Sequence, residues 1–180
     1  MRKVLYILGQ LTDQDAEWLA RNGRRREVPA GETLIRQGQP VSAMFILLDG
    51  HLEVQVNGIG RVARLGSGEI VGEMSFVDKA PPAASVLSLE NCVVLELDKA
   101  AIERRIAEDM GFGMRFYRAI ACFLSDRLRA TVTRLGYGTA QEEDADQGLA
   151  ADELDESVLD TVSLAGDRFN RMLKMLGVGS

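Results

Sequence analysis

Between Val71 and Val86 the sequence reads VGEMSFVDKAPPAASV, residue types suited to holding a hydroxylated anion. Gly72-Glu73 opens the stretch, a short apolar turn through Met74 and Ser75 follows, and PPAASV (81–86) closes it onto a strand. A carboxylate such as Glu73 accepts strongly from a hydroxyl, and neighbouring backbone N–H groups in a tight turn form a nest for an anion. The middle of the stretch, where an arginine would hold a phosphate, is Pro82. Proline offers neither charge nor N–H.

Other chemistries find less support. Metal-dependent catalysis on a β scaffold needs several convergent histidines and carboxylates, and the chain has one histidine, His51, at the turn LDGHLEV. Cys92 and Cys122 lie in apolar surroundings, ENCVVLEL and AIACFLS, with no base in a motif beside them. They read as buried, reduced thiols of a cytoplasmic protein. No P-loop or paired-carboxylate signature occurs, so no catalytic residue, no metal ligand and no enzyme activity is assigned.

A net charge of −6 argues against a protein that coats nucleic acid. RNGRRR (21–26) is a local exception; it reads as a solvated helix end and strand start, and its sharper alternative is an anion or partner patch. No stretch approaches the ~20 apolar residues of a membrane span. The start, MRKVLYILGQLTDQD, lacks a small-residue cleavage site and is not read as a signal peptide.

The elements around the stretch follow from periodicity. LTDQDAEWLARN (11–22) has helical spacing, with Thr12 or Asp13 as N-cap. From residue 25 short alternating or apolar runs follow, broken by Gly31, Gly38, Gly50, Gly58, Gly60, Gly66 and Gly68, which signals an antiparallel sandwich or barrel. After Asp98 the period becomes helical. A short helix, DKAAIERRIAED, is expected to break at MGFG (110–113), and a long one to run from about Met114 to Leu135, with Gly136 as its C′ residue. Its apolar stripe is Phe116, Ile120, Phe123, Leu124, Leu128, Thr131, Val132 and Leu135. Residues 138–153 are acidic and read as a flexible linker. An amphipathic helix over 154–177 closes the chain, its stripe running from Leu154 to Leu176.

AGETLIRQGQPVSAMFILLDGHLEV, LGSGEIVGEMSF and PPAASV, taken in order, resemble the cyclic nucleotide-binding domain family, over roughly residues 10–137. The resemblance implies a mainly β fold with flanking helices: an eight-stranded antiparallel jelly roll, an N-terminal helix and two C-terminal helices, to which the tail helix is added. It implies that Gly72, Glu73, Met74 and Ser75 meet the ribose of a cyclic nucleotide, with Glu73 on the 2′-hydroxyl. It places the phosphate at Pro82, Ala83, Ala84 and Ser85, where Pro82 stands in the position of the family's arginine. Removing one partner of a buried charge pair costs roughly 2–5 kcal/mol.

Lys79, Arg61 and Arg64 are the candidate compensating cations. The ligand expected is cyclic AMP (cAMP), cyclic GMP (cGMP) or a cyclic dinucleotide, the last needing a basic contact outside the pocket; no other cofactor is expected. The helix over 114–135 resembles the family's dimer helix, so a homodimer is expected. The 154–177 helix is expected to dock on its own barrel, its dimer mate or a protein partner. Neither DNA nor membrane is an expected partner, because the 43 residues from Gly138 to Ser180 leave little room for a helix-turn-helix. Two functions stand: a regulatory module sensing a cyclic nucleotide and signalling through protein contacts, or a ligand-free domain acting as a constitutive dimeric adaptor in which Glu73 caps backbone N–H groups.

Overall fold

A computed structural model describes residues 4–136 and 156–178. Two helices open it, α1 (Val4–Gln10) and α2 (Asp13–Asn22), where periodicity had indicated only the second. Thr12 is the N-cap of α2: its Oγ1 accepts from Asp15 N, and Asp15 Oδ2 accepts in return from Thr12 N at 2.8 Å. This reciprocal box satisfies two otherwise orphaned donors and fixes the α1–α2 corner.

Eight strands follow: β1 (Arg24–Val28), β2 (Thr33–Ile35), β3 (Ala43–Asp49), β4 (Leu52–Val56), β5 (Gly60–Leu65), β6 (Ile70–Val71), β7 (Ser85–Ser88) and β8 (Cys92–Asp98). They form two antiparallel four-stranded sheets, ordered β1-β8-β3-β6 and β2-β7-β4-β5. The short helix α3 (Met74–Val77) lies between β6 and β7. The expected mainly β roll of eight strands is therefore the observed fold.

β3 shows how the layers are made. Its residues are buried from Ala43 to Leu48, and successive side chains point to opposite faces of a strand. Phe45 and Leu47 join Val71, Val94, Ile35, Leu52, Leu65 and Val86 between the sheets. Met44, Ile46 and Leu48 face the other way, into a second core shared with the helices. A strand buried on both faces must read as a continuous apolar run, and AMFILL does.

The second core is roofed by α4 (Lys99–Glu108), α5 (Met110–Gly136) and α6 (Glu156–Met175). The expected break over MGFG is absent, because α5 begins at Met110 and contains it. The break is a single residue, Asp109, whose Oδ1 accepts from Phe112 N at 2.9 Å. Gly113 is there for proximity: a Cβ on it would lie 2.8 Å from Ile106 Cγ2 of α4. α5 also runs through Gly136, which is a helical residue and not a C′ cap. Among the glycines expected at turns, Gly66 has no positive φ, whereas Gly31, Gly38, Gly50, Gly58, Gly60 and Gly68 do.

α6 packs on α1 and α2 of its own chain. Ala165 and Met172 are fully buried, and Phe169, Leu173 and Leu176 pack against the same core. Arg168 Nε donates to Asp13 Oδ1 at 2.6 Å and its Nη1 to the Leu8 carbonyl at 2.8 Å, while Arg171 pairs with Asp13 at 2.9 Å. Among the three docking surfaces expected, the chain's own body takes this helix. The stripe positions Leu154, Val158 and Val162, the Leu135 side chain and the acidic segment 138–153 lie outside the residues and side chains described. No helix among the described residues is long and apolar enough to cross a membrane.

Candidate functional site

The cassette runs from Gly72 to Ser85. Gly72 has φ +86°, and a Cβ there would come within 2.9 Å of the Ala43 carbonyl oxygen. Only glycine makes this turn from β6 into α3 without strain. Lys79 is the one non-glycine with positive φ among the described residues, at +57°, in an exposed turn where Asp78 Oδ1 accepts from Ala80 N at 2.9 Å. The far end is tied to the loop after β2: Gly38 N donates to the Pro82 carbonyl at 2.8 Å, and Gln37 N donates to Ser85 Oγ at 3.0 Å. Pro82 and Ala84 are half-buried; Ala83 and Met74 are exposed.

Glu73 is the chemical centre of this arrangement. Its side chain is 2% exposed, and its carboxylate Oε1 accepts from Arg127 Nη1 on α5 at 2.6 Å. Glu73 precedes α3 as N-cap, and its side chain makes no capping hydrogen bond to that helix. Burial pushes the Glu73 carboxyl above the usual carboxylate range, while Arg127, a backbone hydrogen bond and Lys99 pull it down. Arg127 is itself largely covered, its side chain 28% exposed, and its guanidinium lies over the Phe123 ring at 4.8 Å.

A second cation closes the cassette from α4. Lys99 Nζ donates to Ser75 Oγ at 2.7 Å and to the Val41 carbonyl at 3.0 Å, and Ser75 Oγ donates to the Gly72 carbonyl at 3.3 Å. Desolvation draws the Lys99 pKa down, opposed by the charges of Glu73 and Asp78. Packing completes the link to the helices. The Phe76 ring of α3 meets Phe116 edge-on at 5.7 Å and lies 5.9 Å from Tyr117, both on α5.

The cations named from sequence are placed otherwise. Val54 and Ala63 pack inward, while Glu53, opposite Arg64 in register, and Gln55, opposite Arg61, alternate to the other face. Both arginines are exposed, and Arg61 lies 3.9 Å from Glu53. Neither they nor the exposed Lys79 meets Glu73.

Arg127, which pairs with Glu73, and Lys99, which bonds Ser75 beside it, were missed by the sequence reading. The signal for Arg127 was present: Phe116, Ile120, Phe123 and Arg127 recur at steps of four, three and four, so a guanidinium stands on the apolar stripe. Lys99 occupies the first turn of a helix, where the macrodipole disfavours a cation. Leu128 and Val132, named in the apolar stripe of this helix, are 65% and 58% exposed. The Thr131 hydroxyl, also placed there, is exposed and donates to the Arg127 carbonyl at 2.9 Å.

The remaining candidates are structural. Arg24, Arg25 and Arg26 of the basic run are ion-paired with Glu96, Glu27 and Glu32 on or beside the same sheet. His51 Nδ1 lies 2.5 Å from Glu90 Oε1 at the surface. Cys92 is buried, and burial pushes its thiol up. Beyond α5 the described residues form one helix, α6, whereas a helix-turn-helix requires two.

Residues 25–109 match the model of the cyclic nucleotide-binding domain. The chain is 34% identical over 113 residues to a Pycsar effector protein of Xanthomonas perforans, a match covering 62% of this chain and 37% of that protein. It is 31% identical over 99 residues to the cAMP-dependent protein kinase regulatory subunit of Pyricularia oryzae, covering 54% and 25%. The matches thus span only about a quarter to just over a third of these relatives.

Among solved structures, a cyclic nucleotide-binding domain from Methylobacillus flagellatus superposes with a TM-score of 0.67 at 21% identity, over 78% of this chain and 85% of that one. The Thermus thermophilus catabolite activator protein does so with a TM-score of 0.60 at 23% identity, over 93% and 84%. Together with the Gly72-Glu73 cassette and the two-sheet roll, these matches identify residues 25–109 as a cyclic nucleotide-binding domain.

Proposed function

We propose that the chain is a non-catalytic regulatory module in which a cyclic nucleotide occupies the Gly72–Ser85 cassette and thereby repositions α4 and α5. The observation that carries this is the 2.6 Å ion pair between Glu73 and Arg127. The carboxylate expected to accept from a ligand hydroxyl is bonded directly to the helix expected to transmit the signal. A ligand hydroxyl donating to Glu73 competes with Arg127, so ligand affinity and the position of α5 are linked. Relatives described as an effector protein and as kinase regulatory subunits support the same reading.

Output runs through protein contacts. Met114, Tyr117, Ala121, Leu128 and Val132 form an outward seam on α5 at steps of three, four and seven, the spacing of a two-helix contact. The occupant proposed is the same seam of a second copy, giving a homodimer. α6, held on α1 and α2, would pass a change in the helical layer to a protein partner.

A ligand-free adaptor remains the second reading, favoured by Pro82 and by a Glu73 already satisfied within the chain. Calorimetry of the purified chain against cAMP, cGMP and cyclic di-GMP separates the two. Binding at about 10 μM or tighter, lost in Glu73→Ala, supports sensing. No heat and no thermal shift up to millimolar ligand supports the adaptor.

A further inference from the structure

We infer that Arg127, on α5, is the cation that receives the phosphate of a cyclic nucleotide held in the cassette, in place of the arginine absent at Pro82. The inference rests on the sensing reading above and assigns the part of the site that reading leaves open.

The other nearby cations are unsuitable. Arg61 and Arg64 lie on the outward face of β4–β5, and Lys79 is in an exposed turn. Lys99 is fastened by two oxygen acceptors, one of them a main-chain carbonyl. Arg127 differs. Among the described residues its guanidinium makes one side-chain hydrogen bond, Nη1 to Glu73 Oε1, and otherwise lies over the Phe123 ring at 4.8 Å. A guanidinium carries five N–H donors in a planar fork that matches phosphate oxygens in pairs. Stacking on a ring face leaves that edge available.

The ligand's own chemistry fits the exchange. In a 3′,5′-cyclic nucleotide the 2′-hydroxyl is on the carbon next to one that bears the phosphate. A hydroxyl donor and an anion are thus neighbours in the ligand, as their complements Glu73 and Arg127 are neighbours in the protein. Inserting the ligand between them breaks one ion pair and makes two charge-assisted contacts, leaving neither buried charge unpartnered. The phosphate contact then comes from the moving helix itself, so bound ligand holds α5 directly.

The test is calorimetry of the full chain with cAMP and cGMP, on wild type, Arg127→Gln, Pro82→Arg and the double variant, with melting temperatures measured alongside. Arg127→Gln is expected to lose about 30-fold or more in affinity. Adding Pro82→Arg is expected to restore at least about tenfold of that loss, since it returns a cation to the phosphate. Equal or tighter binding by Arg127→Gln would overturn the inference, because Arg127 would then be a competitor for Glu73. A loss that Pro82→Arg fails to repair in variants that melt like wild type would also overturn it, assigning Arg127 to holding Glu73. Should Arg127→Gln not fold, Arg127→Lys takes its place, with about a tenfold loss expected and the same rescue required. A wild type that binds neither nucleotide would overturn the sensing reading, a result distinct from any pattern among the variants.

Discussion

Glu73 and Asp15 are both buried carboxylates paired with an arginine of α5, and their surroundings act on them in opposite senses. Burial pushes Asp15 up, but hydrogen bonds from Arg115 at 2.7 and 3.0 Å and from Thr12 outweigh it, and its pKa falls below the usual value. A depressed folded-state pKa contributes stability above the unfolded carboxylate's pKa of about 3.9, and that contribution is lost as pH falls through the folded value. Asp15→Asn should therefore destabilise the chain by about 1–3 kcal/mol at pH 7. The gap between its melting temperature and that of wild type should narrow by pH 3; an equal gap at both would remove the charge from the explanation. Gly72→Ala tests the cassette turn, where a side chain meets both a positive φ and the Ala43 carbonyl. A loss of about 1–3 kcal/mol in urea unfolding is expected. Residue types at 72, 73 and 82 could be read from sequence because the stretch is contiguous. Arg127 could not be joined to them, since its contact with Glu73 spans 54 positions and depends on how α5 crosses the roll.

Elements were legible where periodicity is enforced by burial. The strand runs match two sheets because each inward residue has one core to face, and the doubly buried β3 announced itself as an unbroken apolar run. Helix limits were less legible, since glycine serves two purposes. In MGFG it was read as a breaker, whereas Gly113 gives α4 and α5 room to approach. α5 has two apolar faces: Phe112, Phe116 and Phe123 go inward, while Met114, Tyr117 and Leu128 go outward. The docking of α6 turns on Met172, which is 1% exposed within the helical core. Met172→Ala should cost about 2–5 kcal/mol by chemical denaturation. A change below about 0.5 kcal/mol, the range of surface substitutions, would mean that α6 does not pack where the structure places it.

At the scale of the whole molecule, the cassette, α5 and α6 share one helical core, so a change at Glu73 has a continuous packed route to the tail. The outward seam of α5 gives the assembly its own test. Tyr117→Glu with Leu128→Glu places like charges on a surface now 45% and 65% exposed, and should convert a dimer to monomer in sedimentation velocity while leaving the melting temperature nearly unchanged. A wild type that sediments as a monomer at every concentration would refute the seam. The central claim is that a cyclic nucleotide in the cassette acts on α5. Its most direct test is hydrogen–deuterium exchange of the full chain with and without millimolar cAMP or cGMP, followed by peptide across α3 and α5. The account predicts a saturable change in exchange in both segments, absent in Glu73→Ala. Exchange in α3 and α5 unaltered by either nucleotide would contradict it.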